Sequence, residues 1–224
     1  MVATLFALLM GLRHEVGGDW FNYLPHFQNA SRADLGEVLG WGDPGYYGLS
    51  WLIAKLGGTI YLVNLVSATA LMCGTVVFCR RQPNPWLALL AAVPYMLLVV
   101  GMGYTRQAGA LGFALLGLTA LGNGRVRAFV IWVCIGALFH KSAVLLLPIA
   151  ALAASRNRVT TAVLVLGTTA LMYYLLVADK AESLWNAYVD EDMQSQGGAI
   201  RVAMNALPAV ILLVLRRRLV PDLV

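Results

Sequence analysis

Long apolar runs broken by short polar punctuation extend along the whole of this chain. The runs cover residues 2–12, 46–56, 58–79, 86–104, 108–121, 128–139, 142–154, 159–178 and 202–215. They predict an all-α fold, a polytopic membrane bundle with short or re-entrant helices and an external polar loop. Several spans of roughly 20 residues each fit in such a chain. Residues 1–224 read as a single transmembrane domain, with external loops at about 13–45, 103–107 and 179–201.

Some runs are too short to cross a bilayer. Residues 2–12 resemble the end of a helix whose beginning is missing. They lack the basic start and the small-residue cleavage site of a signal peptide. Residues 46–56 are preceded or accompanied by Trp41, Tyr46, Tyr47 and Trp51, which suit a helix lying in the interface. Gly57-Gly58 separates this run from the next. The arms 128–139 and 142–154 would each be about 18–20 Å long as helices, short of the roughly 30 Å hydrocarbon core. They predict a tight or re-entrant hairpin over 128–154, with Phe139-His140-Lys141-Ser142 at its tip.

Charge orients the runs. Arg80-Arg81, Arg125 with Arg127, Arg156 with Arg158, and Arg216-Arg217-Arg218 punctuate them. Placing these clusters inside leaves nearly all the carboxylates outside, including Glu15, Asp19, Asp34, Glu37 and Asp43. Composition agrees with a membrane protein: 60% of residues are hydrophobic, 12% are charged and mean hydropathy is +0.74. The net charge of +5 follows from topology and does not argue for nucleic acid. Cys73, Cys79 and Cys134 lie in or beside apolar runs without metal or redox spacing, and read as small buried hydrophobes. There is no Walker motif, HExxH, GxSxG or CxxC pair.

The chemistry-bearing residues come from four separate parts of the chain, all on one predicted side. Arg13-His14-Glu15-Val16-Gly17-Gly18-Asp19-Trp20-Phe21-Asn22-Tyr23 crowds charge, glycine and aromatics after an apolar run. Charge beside a membrane segment is costly and tends to be functional. Arg106-Gln107 precedes the small residues Ala108-Gly109-Ala110, which allow close helix approach and a packed cleft. A guanidinium suits bidentate phosphate binding, although a cation at a helix end also snorkels. His140-Lys141 places a histidine, a residue type suited to general-base work, at the hairpin tip. Gln196-Gly197-Gly198-Ala199-Ile200-Arg201 puts a flexible glycine pair before another cation. Glu15 and Asp19 stand four apart, but Gly17-Gly18 argues against a helix that would align them.

In order and spacing, Arg13-x-x-x-Gly17-x-Asp19-x-x-x-Tyr23, Pro44-Gly45-Tyr46-Tyr47, Arg106-Gln107-Ala108, Phe139-His140-Lys141-Ser142-Ala143 and Ser195-x-Gly197-Gly198-x-x-Arg201 resemble the EpsG family of Wzy-like exopolysaccharide and O-antigen polymerases. The resemblance implies a multi-pass bacterial inner-membrane glycosyltransferase. It would join undecaprenyl-diphosphate-linked oligosaccharide repeat units on the periplasmic face. It implies a catalytic base among His140, Asp19 and Glu15. Arg13, Tyr23, Arg106, Gln107, Lys141 and Arg201 would bind substrate. No metal or cofactor is implied; membrane lipid and polysaccharide-assembly proteins are the implied partners, and nucleic acid is not. Family members run longer than this chain, which implies a truncated member. Two other readings use the same residues: a transporter or flippase for an anionic lipid-linked substrate, and a non-catalytic truncated membrane protein.

Overall fold

The computed structural model describes residues 1–148 and 158–176, with isolated positions at 200, 202–204, 206, 210, 213 and 214. The chain divides into two compact units, Met1–Lys180 and Ala181–Val224. In the second, the described positions are helical and mostly exposed.

The described residues form helices and no strands. In the first unit the α-helices are α1 (Val2–Gly11), α2 (Trp20–Arg32), α3 (Leu35–Leu39), α4 (Pro44–Lys55), α5 (Ile60–Cys79), α6 (Pro85–Ala92), α7 (Thr105–Gly122), α8 (Val126–Phe139) and α9 (Arg158–Leu176). A π-helix, Val93–Gly101, continues α6, and a 3₁₀ helix, Lys141–Leu146, follows α8. Among the described residues only α5 is long and apolar enough to cross a membrane by length and composition, with a mean hydropathy of 2.0 over its best window.

Packing sets α1, α5, α7, α8 and α9 in a row, each against the next. Small residues make the central contacts close. A Cβ on Gly74 would stand 2.1 Å from the Gly112 carbonyl oxygen, and one on Gly112 would stand 2.3 Å from that of Ala70. Any side chain there would drive α5 and α7 apart. Buried Ala7, Met10, Leu71 and Leu97 fill the side of α5 toward α1, and Phe129, Val133, Ala137 and Val165 fill the space between α7, α8 and α9.

The helices α2, α3 and α4 lie over one end of this row, where α1 and α8 end and α5 and α7 begin. Trp20, Tyr23, Val38, Tyr46, Tyr47 and Ile60 are buried beneath them. The opposite end carries Arg80-Arg81 after α5 and the Asn123-Gly124-Arg125 turn between α7 and α8, where Gly124 takes φ +72.

Three features differ from the sequence expectation. The polar stretch 13–45, expected to be a loop, contains α2 and α3. Trp20, Tyr23, Phe27 and Ala30 repeat at helical spacing on the inner face of α2, a stripe that Pro25 and the flanking glycines disguise. The single run 86–104 is two elements, because Pro94 supplies no N–H for regular α-helical bonding and the π-helix takes over at that point. The hairpin arm 128–139 is present as α8, which stops at His140 in an extended conformation (φ −156, ψ 115). Its expected partner begins as the 3₁₀ helix, and 149–154 lie outside the described residues.

Candidate active site

Asp43 organises the covered end of the row. An Asp directly before the first residue of a helix ordinarily caps it. Asp43 makes no such bond with α4, and Pro44 at the first position has no N–H to offer. The carboxylate turns across to the other helices instead. Oδ2 accepts from Arg106 Nη1 at 3.0 Å, and Oδ1 accepts from the Lys141 backbone N–H at 3.2 Å. His140 Nδ1 stands 3.7 Å from Oδ2, close enough for charge attraction but too far for a good hydrogen bond. One buried carboxylate thus ties α4 to the start of α7 and to the α8 turn.

Gly45 lets this happen. A Cβ there would meet Leu138 Cβ at 2.9 Å and the Leu138 carbonyl oxygen at 3.0 Å. Only glycine allows α4 to approach the end of α8 this closely, which brings Asp43 to His140.

Arg106 sits among aromatic faces. Its guanidinium carbon is 5.6 Å from the Tyr23 ring centre and 6.0 Å from that of Tyr47. Its buried Nε has no hydrogen-bond partner among the described residues. Tyr46 packs on both Tyr23 and Tyr47, and Trp41 and His26 meet Tyr47 edge-on. Next to this box lies a pocket of about 330 Å³. Gln107, His140 and Ser142 form its polar wall, and Val100, Leu111 and Leu146 are among its apolar lining.

Electrostatics follow from burial and partners. Burial alone would push the Asp43 carboxyl up. The nearby His140 ring, the Arg106 charge and the Lys141 N–H outweigh it and hold the group below the ordinary carboxylate value. For His26, burial and the Arg106 charge both disfavour the cation, so its pKa is lowered.

The predicted site residues separate into distinct places. His140, Arg106 and the Lys141 N–H meet Asp43, Tyr23 packs on Arg106, and Gln107 lines the pocket with His140. Asp19 joins through Tyr23, whose hydroxyl donates to Asp19 Oδ2 at 3.3 Å. Contacts therefore run from Asp19 through Tyr23, Arg106 and Asp43 to His140. Arg13, expected on substrate, is buried in the scaffold. Its Nη1 donates to the Gly101 carbonyl at 2.6 Å and Nη2 donates to Thr105 Oγ1, which donates in turn to Asn64 Oδ1. It pins the end of α1 to α7 and α5. Glu15, expected as a base, is exposed beside His14, in a separate cleft with Tyr61 and Trp20. Arg201 lies outside the residues described in side-chain detail.

Asp43 is the residue that sequence reasoning missed, since it had counted only as one of the outer acids. The available signal was its position immediately before Pro44-Gly45-Tyr46-Tyr47.

The EpsG family model matches residues 1–220 of the 224-residue chain. The chain belongs to the EpsG family. This family comprises membrane proteins of exopolysaccharide and polysaccharide biosynthesis. Comparison with curated proteins and with solved structures finds no match. The EpsG-like motifs around Asp19, Pro44, Arg106 and His140 are therefore separate in sequence and adjacent in the fold.

Proposed function

We propose that the protein is a polysaccharide polymerase, a glycosyltransferase that joins undecaprenyl-diphosphate-linked repeat units on the outer face of the bacterial inner membrane. The observation that carries this reading is the buried Asp43 contacting both Arg106 and His140 at the edge of a pocket. With Nδ1 turned toward Asp43, His140 has Nε2 left for a ligand in that pocket. A carboxylate 3.7 Å from an imidazole attracts the positive charge that develops on the ring as it takes a proton.

In the step itself, the acceptor sugar hydroxyl gives its proton to His140 Nε2. Its oxygen forms a bond to the anomeric carbon of the donor. The bond from that carbon to the diphosphate oxygen breaks, and its electron pair leaves on the phosphate. Arg106, with its unpartnered Nε, and Lys141 supply positive charge for the leaving group. Asp19 and Glu15 take no part as bases in this scheme: Asp19 is engaged by Tyr23 and Glu15 opens onto another cleft.

The multi-pass character is part of the same proposal. Leu5 and Leu9 of α1, Trp86, Leu87 and Leu90 of α6, and Val163 and Leu166 of α9 are exposed, and such apolar faces suit lipid. The basic turns at the opposite end of the row from Asp43 suit a cytoplasmic orientation.

The test is His140→Ala in producing cells at matched protein level. Loss of polymer with accumulation of outward-facing lipid-linked repeat unit is the expected result. A flippase would instead leave the repeat unit on the inner face. Normal polymer from the variant would end the proposal.

A further inference from the structure

The cleft around His14 and Glu15 lies outside the proposed chemistry. We infer that it is a second saccharide subsite, which holds a neutral sugar of the chain being built while the linkage forms at His140. This inference rests on the polymerase reading.

The cleft measures about 400 Å³. Its polar edge is a linked set: His14 Nδ1 and the Tyr61 hydroxyl share a hydrogen bond of 2.7 Å, and His14 Nε2 stands 3.7 Å from Glu15 Oε1. Glu15 holds φ +50, a backbone conformation that side-chain-bearing residues rarely adopt. Such strain concentrates at ligand-holding positions. The exposed Phe21 ring, 68% accessible, forms part of the apolar side, and Gln28 adds an amide. Carboxylate, amide and phenol groups match sugar hydroxyls, and an open aromatic face matches the C–H face of a pyranose. The carboxylate is the formal charge in the lining, so a phosphate is disfavoured there. That separates this cleft from a lipid-phosphate site and from the Arg106 end of the active site.

Placement supports the same occupant. Trp20 packs against His14 and Tyr61, with ring centres 5.6 and 6.0 Å away. Tyr23, one turn along the same face of α2, packs under Arg106. The cleft and the Arg106 end of the active site therefore draw on adjacent turns of one helix, Trp20 and Tyr23 being roughly 4.5 Å apart along its axis. An oligosaccharide reaching from one could occupy the other.

The experiment uses the full chain in detergent and in its producing cells. The probe is oligosaccharide cut from the cells' own polymer. Phe21→Ala and Glu15→Gln are expected to weaken its binding about tenfold, as for loss of one stacking contact or one charge-assisted hydrogen bond. In cells, Phe21→Ala is expected to shorten the polymer rather than abolish it. His140→Ala is expected to retain oligosaccharide binding while making no polymer. Unchanged binding and unchanged chain length in both cleft variants would overturn the subsite. So would loss of co-purified phospholipid from Phe21→Ala with oligosaccharide binding intact, which would assign the cleft to lipid. Polymer from His140→Ala would instead overturn the proposed function, and oligosaccharide binding sensitive to Phe21 would still stand.

Discussion

Two histidine–carboxylate pairs face different surroundings in this protein, each at 3.7 Å. In one, Asp43 is 5% accessible and His140 22%; in the other, Glu15 is 62% accessible and His14 66%. Distance alone would rank them equal. Burial does not: interactions of the first pair act in a low effective dielectric, while water and salt screen the second. The buried carboxylate also has two further partners, Arg106 and the Lys141 N–H, and joins three elements. The exposed pair joins neighbours in sequence and adds Tyr61. The first arrangement can hold an imidazole for chemistry. The second stays open, as a binding surface must.

The largest effect that would break this contrast is removal of Asp43. Asp43→Ala leaves the Arg106 charge without its partner and the Lys141 N–H unpaired. Breaking a buried pair in this way costs about 3–5 kcal/mol. Thermal unfolding of the purified protein should show a clear loss, and polymer should vanish. Asp43→Asn sharpens the point. It retains an acceptor for the Lys141 N–H, so it should unfold less readily than the Ala variant while still losing most polymer. Equal polymer from Asp43→Asn and the parent would remove the carboxylate from the mechanism.

Gly45→Ala should come next. Its Cβ would collide with the backbone of Leu138, which cannot yield as a side-chain end would. Overpacking of this kind costs typically 1–3 kcal/mol. The displacement also moves Asp43 from His140, so polymer should fall further than stability alone predicts. A variant with normal polymer would mean that the α4–α8 approach does not position the site.

Arg106→Lys tests the cation. Lysine keeps the charge but lacks the planar fork that meets Asp43 and packs over Tyr23 and Tyr47. Polymer should drop by about tenfold, the loss of one good polar contact. Free substitution would show that only the charge matters.

Acidification should reveal the buried group by its sign. The folded pKa of Asp43 lies below its ordinary value of 3.8. Its contribution to stability is therefore present above 3.8 and is lost as pH falls from there through the lower folded value, because the unfolded chain takes up the proton first. His26, lowered from 6.5, produces an earlier loss as pH falls below 6.5, again because the unfolded chain protonates first. Unfolding profiles against pH should show the acid limb weakened in Asp43→Asn and the near-neutral limb weakened in His26→Gln. Profiles identical to the parent would contradict the surroundings assigned to Asp43 and His26.

The smallest effect belongs to the exposed pair. Glu15→Gln should change stability by no more than about 0.5 kcal/mol, as for other solvent-screened surface sites. A large destabilisation would show that the strained Glu15 backbone is held by its charge and that the two pairs differ less than burial implies.

By itself the sequence determined the helical class and the family. Apolar runs of helical length survive as α1, α5, α7, α8 and α9, because the length and apolar character of a run are properties of neighbouring residues, whereas what buries it comes from other helices. The family motifs were legible as residue types at spacings, and the roles of His140 and Arg106 could be argued from their chemistry. Only the tertiary structure decided which charges work together. Arg13 and Arg106 look alike in the sequence; Thr105, Asn64 and the Gly101 carbonyl bury one in the scaffold, and the other meets Asp43, which also stands beside His140. Asp43 and Glu15 look alike as outer acids, and their difference depends on what α7 and α8 bring within reach. Burial and long-range partners set the worth of a charge, and neither is a property of neighbouring residues along the chain.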